Sequence, residues 1–333
     1  MNGPLGRSSP QSVSTSHTLR SMLNRRHLRI KVLHAFYAYR TDPQQGLVTG
    51  ERNLRRSIEG IYDLYLYELR ALWEIFQYAE HLLEVKRKKR LPSYEDLHPS
   101  RRFVENQVYR WMQAQVKLQE YWDDRHIRFG DDREILHQVF RDFQVDESYQ
   151  EYLQMEHNTV SADKKLLRYL YGQYLSENES LHQLYEERNM HWADDLDAAQ
   201  MMVSKTLKKI SGNEEAKALQ PLFKDQEDLT FALKLFRTAV NENELFEQEI
   251  QEKTQNWDAE RIAVIDILLM KLALAELTTF EQIPVKVTLN EFIELSKQYS
   301  TPKSGHFING ILDKIKDSLQ EKGQIRKVGR GLL

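Results

Sequence analysis

Apolar residues recur three and four positions apart along most of the chain, the spacing of one buried helix face. Over 24–39, Leu28, Val32, Ala35, Phe36 and Tyr39 make such a face, and 42–50 reads as a loop. From Leu54 to about Lys89, the positions Ile58, Ile61, Tyr65, Leu69, Leu72, Phe76, Ala79 and Leu83 predict one long helix. After a loop around Pro92 and Pro99, helices are predicted at about 102–123, 132–155, 161–188 and 190–211. Asp225 and Asp228 open another, with Leu229, Ala232, Leu233, Phe236, Val240 and Leu245 inward. It runs to about Lys253, and Trp257 marks a turn.

The segment 262–277 is apolar on almost every face, which predicts a buried central helix. Asp266 and Lys271 interrupt it and are expected on one narrow exposed edge, since an unpaired buried charge is costly. Two more helices follow. Thr288 and Glu291 have capping-box spacing ahead of Phe292, Ile293 and Leu295, and Pro302 stops that helix. Ser304 can cap the last one, whose inward positions are Phe307, Ile308, Ile311, Leu312 and Ile315. Gly310 lies inside it, where Gly costs about 1 kcal/mol relative to Ala. That predicts either close approach of another backbone or a kink.

Composition supports an all-α chain. Only 13 Gly and 8 Pro are spread over 333 residues, and long stretches lack both. No apolar run approaches the ~18 residues of a membrane span, so no membrane partner is expected. The absence of Cys excludes disulfides and thiolate metal sites. Residues 1–21 are rich in Ser, Thr, Gly and Pro, which predicts a disordered leader over 1–23. This acid-free start has the look of a transit peptide; the simpler reading is an upstream start codon, with Met22 as the true start.

The net charge of −3 hides an asymmetry. No Asp or Glu precedes Asp42, and after Glu321 the only charges are Lys322, Arg326, Lys327 and Arg330. Basic ends on a neutral body suggest a polyanion partner; two solvated tails are the ordinary alternative. Arg25, Arg26, Arg29 and Lys31 crowd the start of the first helix, where cations oppose the helix dipole. That placement invites a functional reason, such as contact with phosphates. The run Lys86, Arg87, Lys88, Lys89 and Arg90 ends a helix, where the same dipole favours it, so a structural reading prevails there. Aromatics such as Trp111, Trp122, Phe140 and Tyr171 lie on apolar faces and read as core.

Enzyme chemistry finds little support. There is no Gly-rich phosphate loop and no His-Glu-x-x-His pair, and the 11 His are scattered. Paired carboxylates such as Asp123-Asp124 and Asp194-Asp195 stand near helix starts, where the dipole accounts for them. No catalytic residue, metal or cofactor is expected.

Several segments resemble the transcription antitermination NusB family. They are Glu276-Leu277, Ile283-Pro284-Val285, Asn290-Glu291, Glu294-Leu295-Ser296-Lys297 and Phe307-Ile308-Asn309-Gly310-Ile311-Leu312, in register over about the last hundred residues. Arg25-Arg26-His27-Leu28-Arg29 followed by Leu33-His34-Ala35-Phe36-Tyr37 resembles the arginine-rich start of the family's first helix. The resemblance implies an all-α NusB-like bundle formed by 24–41 and 190–333, with 42–189 as a large helical insertion. It implies a cytoplasmic factor that binds single-stranded, boxA-like ribosomal RNA with the ribosomal small-subunit protein NusE and joins the transcription elongation complex. Arg25, Arg26, Arg29 and Lys31 would meet the RNA, together with Lys303, His306 and Phe307 at the start of the last helix. Lys303 stands where the family often has an acidic residue. Asp266 and Met270 would face the protein partner. Removing the arginines is expected to weaken RNA binding without loss of stability. The alternative is a protein-binding helical scaffold whose insertion is the main interaction surface.

Overall fold

Asn24 starts the fold by accepting a hydrogen bond from the Arg26 N–H, and helix α1 (Arg25–Thr41) follows. The computed structural model describes residues 24–157, 159–211, 213, 217–223, 226–255 and 262–332. Among them are fifteen α-helices and no strand, so the chain is all-α. The predicted leader 1–23, Asp225 and the turn at Trp257 lie outside the described residues.

The loop expected over 42–50 shrinks to a 3-10 turn at Pro43–Gln45, and α2 (Leu47–Arg87) begins seven residues before Leu54. Leu47 packs on the core at its start, and Gly50 lets the first turns pack closely. A Cβ there would sit 2.8 Å from the Phe236 ring and 3.3 Å from Tyr39. No larger residue fits that contact without displacing a core ring.

The long helices expected over 102–211 are broken. α3 (Tyr94–Leu97) is a single turn, then come α4 (Gln107–Ala114), α5 (Val116–Asp124), α6 (Arg133–Gln144) and α7 (Glu147–Gln154). α8 (Val160–Leu170) passes through a π turn into α9 (Glu179–Arg188), and α10 (Leu196–Lys209) follows a 3-10 turn. Side chains that favour caps over helix interiors make two of these breaks. Asp146 accepts from Ser148 N at 2.7 Å, and Asn178 accepts from Leu181 N at 3.0 Å. Then come α11 (Gln226–Asn241), α12 (Asn243–Lys253), α13 (Val264–Thr279), α14 (Val285–Tyr299) and α15 (Ser304–Glu321).

Two apolar cores result. One gathers Leu28, Leu33 and Phe36 of α1, Leu54, Ile58 and Ile61 of α2, and the inner faces of α11 to α15. The other gathers α2 from Tyr62 onward with α4 to α10. α2 therefore runs through both. Trp192 Nε1 donates to the Gly60 carbonyl at 2.9 Å at the junction, and Tyr65 meets Thr206 of α10 at 2.6 Å. α13 is central as expected: all of 268–277 is buried.

Three local expectations are corrected. Asp266 and Lys271 are not on an exposed edge; each is only 4% exposed. Asp266 accepts from Ser304 Oγ at 2.8 Å, while Lys271 Nζ meets Glu247 at 2.5 Å and Asn243 at 2.7 Å. The Thr288 capping box does not form, because α14 begins behind Pro284 and the Thr288 hydroxyl is spent on Glu276 at 2.8 Å. Gly310 has no neighbouring backbone: a Cβ there would meet nothing within 4 Å, and α15 continues unbroken.

Glu68 of α2 is fully buried and accepts from Tyr171 of the π turn at 2.7 Å. Burial pushes its carboxyl from 4.5 up to about 7, against the pull of that hydroxyl.

Gly310→Ala should therefore raise unfolding free energy by roughly 0.5–1 kcal/mol, read by denaturant titration. A second expectation follows from Glu68. Its folded-state pKa is raised, so folding is favoured by the protonated form below 4.5, and that contribution is lost as pH rises to about 7. Glu68→Gln should flatten the fall in stability over this window; an unchanged pH profile would show that Glu68 does not produce it.

Candidate nucleic-acid interface

The arginine cluster divides by helix phase. Arg29 sits at the edge of the α1 apolar stripe and is 2% exposed. Its Nε and Nη2 each donate to Glu276 of α13 at 2.7 Å. Glu276 is wholly buried and also accepts from Thr288 of α14, so three helices meet on one carboxylate. Lys31 is also buried, with Nζ 2.7 Å from Asp195. Burial pushes the Asp195 carboxyl up to about 6, with Lys31 pulling the other way. Arg29 and Lys31 are thus corrected from phosphate ligands to core ion pairs: their charges are already matched and neither faces solvent.

Arg26 and Arg25 remain outward. Arg26 donates through Nε and Nη2 to Glu291 of α14, both at 3.0 Å, and its side chain stays 41% exposed. The Arg25 guanidinium lies 5.1 Å over the Phe231 ring of α11. The first turn of α1 holds no acidic residue.

The second set of expected contacts lies at the start of α15. Lys303 and His306 are exposed, while Phe307 is half-buried and packs on the first core. Arg26 is tied to Glu291 of α14, and this set follows the end of the same helix. The α14 surface spans the gap, from Glu291 through Glu294 and Lys297, which pair at 2.5 Å, to the end of the helix. At 1.5 Å per residue, Glu291 and the helix end at Tyr299 lie about 12 Å apart along α14. Asp266 and Met270 are corrected as partner-facing residues: both are buried, at 4% and 0% exposure, and present no surface.

Sequence reasoning missed a groove. Arg25, Lys234 and Arg330 line one cavity of about 980 Å³ with Phe231, Phe280, Glu227 and Glu281. The basic end of the chain is not a free tail. Val328 N donates to the Glu281 carbonyl at 3.0 Å, Lys327 Nζ donates to the Phe280 carbonyl at 2.9 Å, and Lys322 pairs with Glu249. The only signal in the sequence was the run of glycines and cations after Glu321, which says nothing about where it lands. Among the described residues, no three His, Cys, Asp or Glu side chains are grouped to hold a metal ion, and no helix is long and apolar enough to cross a membrane.

A model of the NusB family matches residues 196–317. The transcription antitermination protein NusB of Salinibacter ruber is 42% identical over 113 residues, which cover 34% of this chain and 71% of that protein. The protein of the same name from Geotalea daltonii is 38% identical over 116 residues, 35% of this chain and 80% of that protein. The one from Chloroherpeton thalassium is 34% identical over 138 residues, 41% of this chain and 65% of that protein. No solved structure matches.

The geometry separates two arginines that the sequence groups together. Arg29→Ala should strand the Glu276 charge in the core and cost about 3–5 kcal/mol. Arg26→Ala removes a half-exposed pair and should cost less than about 1 kcal/mol. Thermal and denaturant melts of the two variants test the contrast; equal losses would overturn it.

Proposed function

The chain belongs to the NusB family, and on that premise we propose that it is a transcription antitermination factor that binds boxA-like single-stranded RNA with the ribosomal protein NusE. It works in the transcription elongation complex, in the cytoplasm, and carries out no catalysis. We read the NusB-like body as 24–41 and 190–333 and 42–189 as an insertion, with α2 of the insertion packing its first half into the body's core and α10 of the body packing into the second core.

One observation carries the RNA reading. Arg25 and Arg26 project from a helix start without acidic residues, and the buried Arg29–Glu276 pair one turn later fixes that start to α13. A rigid start with outward guanidinium groups suits single-stranded RNA, whose phosphates and splayed base faces both accept arginine. Arg26 is held by Glu291, so RNA must share or displace that bond. Lys303 and His306 would extend the contact along α14 toward α15, where backbone N–H groups of the helix start favour phosphate. Pairing with NusE rests on family membership alone and is assigned to no residue.

Replacing Arg25 and Arg26 together with Ala should lower affinity for a boxA-like RNA. Each lost phosphate contact on a single strand removes about 0.7 from the slope of log K against log salt, so the pair should remove about 1.4. Salt-titrated binding, with and without NusE, gives the measurement. An unchanged slope and affinity would take the start of α1 out of the RNA site.

A further inference from the structure

The groove walled by the docked C-terminal segment has features that the start of α1 alone does not need. Arg25 lies over Phe231, whose ring centroid is 4.8 Å from that of Phe280, and Lys234 Nζ lies 5.5 Å over Phe280. Two cations therefore bracket a pair of touching rings. Arg330 reaches the same groove from the end of the chain, 305 positions after Arg25 in sequence. Lys234 and Arg330 are exposed and Phe280 is half-buried.

The far wall is a built contact. A Cβ added to Gly331 would overlap the Glu281 carbonyl oxygen, and Gly329 takes a positive φ of 53° that favours glycine. The two glycines let the backbone lie flat against the turn between α13 and α14, and so set Arg330 at the rim. A basic tail acting only as loose charge would need neither glycine.

We propose that this groove holds the RNA segment adjoining the one gripped at the start of α1. Its phosphates lie between Arg25, Lys234 and Arg330. The mixed rim favours a nucleotide over a simple polyanion. Glu281 would repel bare phosphate, but a carboxylate accepts the amino group of a base. The half-buried Phe280 offers part of a ring to a base face. The inference rests on the RNA-binding reading above and adds to it a second contact, from α11 and the C-terminal segment.

The test uses the full chain and two RNAs, a boxA-like core and the same core extended by several nucleotides at both ends. Lys234→Ala and Arg330→Ala should each weaken binding of the extended RNA several-fold and lower its salt slope by about 0.7, leaving the core RNA unaffected. Gly331→Ala keeps every charge but cannot keep the segment against Glu281, so it should reproduce the Arg330→Ala loss. Melts should show that all three variants remain folded, since Lys234 and Arg330 are exposed and Gly331 belongs to a short 3-10 turn after α15. If the unmodified protein binds neither RNA, the RNA-binding reading fails and this inference with it. If it binds both, and all three variants bind the extended RNA equally well, the groove is overturned and the reading at α1 stands. Loss in Arg330→Ala without loss in Gly331→Ala would show a free cationic tail, which also overturns the groove.

Discussion

A carboxylate in the centre of an apolar bundle must be matched, and Glu276 is matched by a bidentate Arg29. The start of α1 at the proposed RNA surface is referenced to that bond. It fixes the start of α1 against α13, and Thr288 brings α14 to the same carboxylate. Glu291, one turn later on α14, then lies where it meets Arg26 and approaches Arg29 at 3.5 Å. Such a pair need add little net stability over an apolar contact. What it supplies is position: two outward arginines on a helix start tied to α13.

Much of this was legible in the sequence. The all-round apolar character of 262–277 marked the central helix, and the stripe through Leu28, Val32 and Phe36 marked α1. The family segments fixed the fold around them. The breaks at Asp146 and Asn178 were not legible, because periodicity continues across them and only side-chain capping reveals the interruption. The roles of Arg29 and Lys31 were misread because the dipole argument treats a cluster of cations as one unit. Helix phase does not: it turns Arg29 and Lys31 inward while Arg25 and Arg26 stay out. The usable signal was Glu276, an acid within the most apolar helix, which demanded a cation from elsewhere. Asp266 gave the same kind of signal, and its answer was the Ser304 hydroxyl. The groove at Arg330 had no sequence signal beyond composition, because no local pattern says where a segment without a helix docks.

The two cores share α2, which ties the second core to the first. A helix of 41 residues with Ile58 and Ile61 in one core and Tyr65 and Leu69 in the other is a single rigid element, not a flexible tether. Trp192 on Gly60 and the buried Lys31–Asp195 pair add two cross-links near the junction. Displacement of the second core would therefore be felt at α1.

The separation of Arg29 and Glu276 by 247 positions also sets an order of events during synthesis. At about 5–20 residues per second, the arginine leaves the ribosome on the order of tens of seconds before its partner exists. Through that interval α1 can pack on α2, whose residues follow directly, but its first turn has no anchor. The second core, whose residues lie between, can assemble first. The geometry of the proposed RNA site is thus completed only in the last part of translation, and a nascent or prematurely terminated chain lacking α13 would display the same arginines without the carboxylate that positions them.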